Sequence, residues 1–243
     1  MQYLWEKFNI KTFPARTIVF LDGEFRRDLS DFPEKGIQIT GRAGTASIRI
    51  QASKKPELPL HIISVGENSG AQTLRISNAC VRPTDICPGI FVTAKLTLKK
   101  PAFLTFLLEN AGKNSKISGD MVFLNESDLK VSIFADHLAE ATGIFVKNRV
   151  LAGPGSATEL SGIAKILGDC PGCESDLSFS ALCAPDIKSI KMSPNQKIAS
   201  VPASAEHSAN LWRGTNSQIE YLKTAGLNAD AVDALLREAF INN

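Results

Sequence analysis

The feature that most constrains this chain is a run of short β-branched and aromatic segments from about residue 16 to residue 210, each cut off by Gly, Pro, Asn, Asp or Ser. Such a run is the pattern of successive strands and turns. The segments include ThrIleValPheLeu at 17–21, IleGlnIleThr at 37–40, AlaSerIleArgIle at 46–50, LeuHisIleIleSerVal at 60–65, GlnThrLeuArgIle at 72–76 and PheValThrAlaLysLeuThrLeu at 91–98. Many of them alternate apolar with polar. Ile48, Ile50, Leu74 and Ile76 fall on one face and Ser47, Arg49, Thr73 and Arg75 on the other, as half-buried strands require. The strands recur at intervals of roughly 8–14 residues, a spacing that fits a sandwich, a barrel or the short strands of a solenoid. Between 104 and 134 they follow one another with Asn- or Gly-containing corners, as the rungs of a coil do.

Of the 243 residues, 44% are hydrophobic and 21% charged, enough apolar content for a core and too much for a disordered chain. Lys and Arg total 27 against 25 for Asp and Glu, so no net field argues for nucleic acid or an anionic membrane as partner. Glu6, Lys7, Lys11 and Arg16 break the apolar stretch that a signal peptide needs, and no run approaches the ~18 apolar residues of a membrane span. A cytoplasmic protein is expected. Its five cysteines (Cys80, Cys87, Cys170, Cys173 and Cys183) then read as free thiols or metal ligands before a disulfide framework.

Near residue 212 the texture changes, dividing a β domain over 1–212 from a helical segment over 213–243. Ser217, three residues before Glu220, predicts a capping box, with Ile219 and Leu222 at helical spacing and Gly226 at the C-terminal cap. Asn228 predicts the N-cap of a second helix, whose Val232, Leu235, Leu236, Ala239 and Phe240 form one apolar stripe. Asp230 and Asp233 stand near its start and Arg237 near its end, matching the helix dipole. Two helices this short need the β body, a second copy or a partner to pack on.

Cys170-Pro-Gly-Cys173 has the spacing that lets two thiolates hold one metal from a tight turn, with Cys183 and His207 downstream as further candidate ligands. No second Cys pair completes a zinc ribbon, so an unligated turn pair is the competing reading. Cys80 and Cys87 read as small buried residues. His61 and His137 read as structural, and Asp120, Asp128, Asp136 and Glu140 as turn carboxylates without acid/base spacing. GlyProGlySer at 153–156 lacks the Lys-Ser/Thr and helix of a phosphate loop and reads as a turn, and no G-x-S-x-G elbow is present.

Five features in series over the last third of the chain resemble the SufB/SufD family of iron–sulfur cluster assembly. They are GlySerAlaThrGluLeuSerGlyIleAlaLysIleLeu (155–167), Pro194 with Ile198 four residues on, His207-Ser-Ala209, Gln218 to Leu222 with Gly226-Leu227, and the helix from Ala229 to Phe240. The resemblance implies an all-β fold, a right-handed parallel β-helix with a two-helix C-terminal segment. It also implies pairing through that β-helix, as a homodimer or with a SufB-like subunit, and docking of a SufC-like ABC ATPase by the helices. Ile219, Tyr221, Leu222, Val232, Leu235, Leu236 and Phe240 are the candidate docking residues. His207 matches the family histidine at the pair interface, and Cys170, Cys173 or Cys183 lies in the region of the family thiol. Ser208 stands where SufB has Glu, so the chain resembles a short SufD-like member more than SufB.

The leading expectation is therefore a non-enzymatic scaffold that holds a transient iron–sulfur cluster, with thiolate ligands labile enough to release it. The alternative is a structural β-solenoid, bactofilin-like or a degenerate relative, without cluster chemistry. A polysaccharide-active enzyme would require clustered acidic residues and export, and the sequence offers neither.

Overall fold

A computed structural model describes residues 16–21, 24–31, 37–42, 45–51, 60–67, 72–79 and 89–242. The expectations for residues 1–15, Cys80 and Cys87 lie outside them. The chain forms strands β1 (Thr17–Leu21), β2 (Glu24–Phe25), β3 (Ile37–Arg42), β4 (Thr45–Gln51), β5 (Leu60–Glu67), β6 (Gln72–Ala79), β7 (Ile90–Leu98) and β8 (Ala102–Ala111). It continues through β9 (Lys116–Asn125), β10 (Leu129–His137), β11 (Gly143–Ala152), β12 (Ala157–Ile166), β13 (Cys173–Cys183), β14 (Ser189–Ile198) and β15 (Ala203–Trp212). Helices α1 (Asn216–Thr224) and α2 (Ala229–Asn242) close it.

From β4 on, consecutive strands alternate between two sheets, and each pairs in parallel with the strand two places further along. One sheet runs β15-β13-β11-β9-β7-β5-β1-β2 and the other β14-β12-β10-β8-β6-β4-β3. This is a parallel β-solenoid of about five turns, which removes the sandwich and the barrel from the alternatives that strand spacing left open. Side chains bond from one rung to the next: Ser132 bonds Ser161, its register partner 29 residues on, and Asn125 donates to Thr158, 33 residues on. The first turn is finished differently. There β2 runs antiparallel to β1 and β3 antiparallel to β4, so the parallel repeat stops.

The alternation read from the sequence is the inside and outside of this coil. Ile48, Leu74 and Ile76 are buried, whereas Arg49 and Arg75 are exposed. Inward positions of successive rungs form columns, as where Val92, Gly119, Val146 and Leu177 stack in register. Corners are closed by buried asparagines. Asn110 donates to the carbonyls of Ser115 at 3.0 Å and Gly143 at 3.2 Å, replacing ladder bonds that the chain loses as it turns. The segment at 153–156 is a turn, with Gly155 at φ +66°.

The second helix follows the sequence reading: Asn228 Oδ1 accepts from the Ala231 amide at 2.9 Å, and Gly226, at φ +91°, ends α1 in the left-handed conformation. The capping box of α1 lies two residues earlier than expected. Thr215, extended at φ −68° and ψ 151°, is the N-cap and Gln218 its reciprocal partner, which leaves Ser217 inside the helix. Helix α2 buries Val232 and Phe240, and packs on the solenoid through Phe240, whose ring lies 5.7 Å from that of Trp212. Leu236 is half-buried and Leu235 exposed, while α1 buries none of its residues fully.

Candidate functional site at the open end of the solenoid

Among the described residues the last rung, β14 and β15, has a neighbour on one side only. Its inward residues therefore lie on an open end rather than in a core. The difference is sharp along single columns: Leu177, Phe179 and Ala181 on β13 are all 0% exposed, while His207, Ala209 and Leu211, which pair with them in register on β15, are exposed. On the other sheet Ile198 is exposed above buried Ile166. Val201, in the turn between the two strands, is 88% exposed. Both strands also offer an unpaired backbone edge, and an uncapped edge of this length is a template for pairing with another chain.

His207 thus ends a column whose earlier members are Val92, Gly119, Val146 and Leu177. Its imidazole stands at an inward position on the open end. Its neighbours in sequence face the opposite way. Ser208 donates to Ser178 Oγ at 3.0 Å on the outer face, and Glu206 stacks on Asp176. Burial, and then the Glu206 charge, push the Asp176 carboxyl up, with Lys147 opposing.

The structure separates the other candidate ligands from His207. Cys170 and Cys173 lie at one corner, 5% and 1% exposed. Cys173 is level with Ala203, so four residues of strand, about 13 Å, part it from the level of His207. Cys183 is at the far end of β13, roughly 33 Å from Cys173 along the strand. It is half-buried and lines a cleft of about 310 Å³ between the solenoid and α2, with Leu124, Leu151, Leu182, Arg237 and Ile241. Burial pushes its thiol up, and Arg213 opposes. Among the described residues no group of three or more His, Cys, Asp or Glu is placed to hold a metal ion.

His137 belongs to a buried cluster with the first two thiols. It is 1% exposed, its Nδ1 lies 2.8 Å from Thr142 Oγ1, and that oxygen lies 3.1 Å from Cys173 Sγ. Because the Thr142 hydroxyl donates to the Ala139 carbonyl at 3.0 Å, the hydrogen between Thr142 and the ring belongs to Nδ1. Nε2 is then an unprotonated acceptor, without a partner among the described residues. Burial pulls the His137 pKa down to about 4, against the opposing effects of Thr142 and Asp136. The signal for this cluster was in the sequence: His137 has the same parity as Leu129, Val131, Ile133 and Ala135, and so points inward.

Of the four carboxylates read as turn residues, Asp128 and Glu140 lie between strands, whereas Asp120 is inside β9 and Asp136 inside β10, and each faces a cation: Asp120 pairs with Arg149, Asp128 with Lys188, Asp136 with Lys165 and Glu140 with Lys113. The candidate docking residues divide between two roles. Val232 and Phe240 are buried, Phe240 against Trp212 of the solenoid, Ile219, Leu222 and Leu236 are half-buried, and Tyr221 and Leu235 face outward at 72% and 43% exposure. Among the described residues no helix is long and apolar enough to cross a membrane. No family model matches this sequence, and no curated protein matches it.

Proposed function

We propose that this chain is a SufD-like scaffold subunit of iron–sulfur cluster assembly, non-enzymatic in itself. It pairs across its open last rung with a SufB-like subunit or a second copy. It presents His207 at that interface as a ligand for iron of the nascent cluster, and it docks a SufC-like ABC ATPase on the outward side of its helical tail. The observation that carries this reading is His207 at an inward position of the uncovered rung, where a paired subunit would enclose it. Thiolates are the natural cluster ligands. Since the described cysteines, Cys170, Cys173 and Cys183, lie about 13 Å or more along the strands from the level of His207, the reading assigns the thiolate to the partner.

One-sided pairing also fits the asymmetry of the coil. At the other end of the described coil the edge strands β2 and β3 run antiparallel to their neighbours, so the two ends differ in strand direction, whereas a head-to-tail filament needs two complementary ends. A structural solenoid without cluster chemistry is the second reading, favoured by the distance between thiols and imidazole. Anaerobic reconstitution of the purified pair with iron and sulfide separates the two, read by visible absorbance and iron content. Cluster assembly predicts thiolate-to-iron absorption that His207→Ala lowers at least several-fold while Cys170→Ser leaves it in place. A pair that stays iron-free with its β fold intact assigns the structural reading.

A further inference from the structure

The Cys170-Pro171-Gly172-Cys173 turn is tied to the chain on both sides. The Pro171 carbonyl accepts from the Ala141 amide at 2.9 Å. The Gly172 amide donates to the Pro202 carbonyl at 2.6 Å, and the Cys170 amide donates to Ser200 Oγ at 3.0 Å. Gly172, at φ +73°, supplies the left-handed residue that folds the turn back on itself. The turn therefore anchors the corner from which β15 starts. Its two thiols aim at one short stretch of backbone: Cys173 Sγ at the Ala139 carbonyl, 3.2 Å away, and Cys170 Sγ at the His137 carbonyl, 3.8 Å away.

The surroundings select a chemistry. Carbonyl oxygens are partners for an S–H donor and tolerate a neutral disulfide, but they repel the thiolates that a metal requires. Burial also pushes the Cys170 thiol up, with the Cys173 sulfur next in effect. Both sulfurs thus lie against carbonyl oxygens, partners that suit an uncharged sulfur. We propose that Cys170 and Cys173 are a reversible dithiol–disulfide couple that clasps the turn anchoring the last rung, exchanging with low-molecular-weight disulfides of the glutathione class. In the oxidative direction one Cys gives up its proton and its transient thiolate attacks the external disulfide, releasing one small thiolate that takes up that proton. The second Cys then displaces the other, so two S–H bonds become one S–S bond and two small thiols carry away the electrons and protons.

The test is equilibration of the full native chain in glutathione redox buffers, alkylation of the remaining thiols, and peptide mapping by mass spectrometry. The couple predicts a Cys170–Cys173 linked peptide in oxidising buffer, a mass lower by about 2 Da, and return to two alkylated thiols in reducing buffer. Cys183→Ser leaves this unchanged, and Cys170→Ser removes the linked peptide. The wild-type map decides if Cys170→Ser does not fold. Three results overturn the proposal: both thiols still free in a buffer that oxidises the unfolded chain, a persistent glutathione adduct on either, or stoichiometric zinc or iron that Cys170→Ser releases.

Discussion

His137 is a titratable group that the fold takes almost wholly out of water, at 1% exposure. A histidine held neutral inside the fold, with its pKa lowered from 6.5 to about 4, binds a proton less readily there than in the unfolded chain. Its contribution to stability is complete above pH 6.5 and is lost as pH falls through about 4, in total roughly 2–4 kcal/mol. Denaturant midpoints measured across this window should fall steeply with acid in the wild type and less steeply in His137→Gln. Packing makes a second claim at this scale. A Cβ at Gly162 would lie 2.7 Å from Phe179 Cζ and 3.3 Å from Leu177 Cδ1, both in the fully buried centre of the last covered rung. Gly162→Ala should destabilise by about 1–3 kcal/mol in urea unfolding, and Phe179→Leu in the same chain should recover part of it.

At the scale of elements, the alternation of Leu74, Ile76 and their polar neighbours was legible because a strand's two faces differ in a repeat of two. The same rule, applied to β10, would have found His137. Which strand lies beside which was not legible, since parallel pairing joins residues about thirty apart and leaves no local mark. The cap of α1 was misplaced by two residues because Thr215 and Ser217 are both competent caps, and only the extended backbone at Thr215 decides between them. The tail itself hangs on few contacts, chiefly Phe240 against Trp212 and buried Val232. Phe240→Ala should release α2, shifting Trp212 emission to the red and removing amide protection across 229–242. The main unfolding transition of the solenoid should keep its midpoint, because no rung loses a neighbour.

At the scale of the molecule, the coil has two unlike ends. One ends in strands that run antiparallel to their neighbours, and the other leaves His207, Ala209 and Leu211 on a rung with no described strand above it. The position of His207 along the chain was read from the sequence. That it occupies an inward column was not, because register with Leu177 depends on every corner length before it. The central claim is that this end closes on one partner, and molar mass by light scattering tests it most directly, for the chain alone and for the chain with a SufB-like subunit. Ala209 is exposed in the single chain, so Ala209→Glu should leave its fold intact while burying a charge in any pair. The account predicts a discrete two-subunit species in at least one of the two samples, against 26.2 kDa for the single chain, and its loss in Ala209→Glu. A monomer in both samples, an open-ended series of larger species, or a pair indifferent to Ala209→Glu would contradict it.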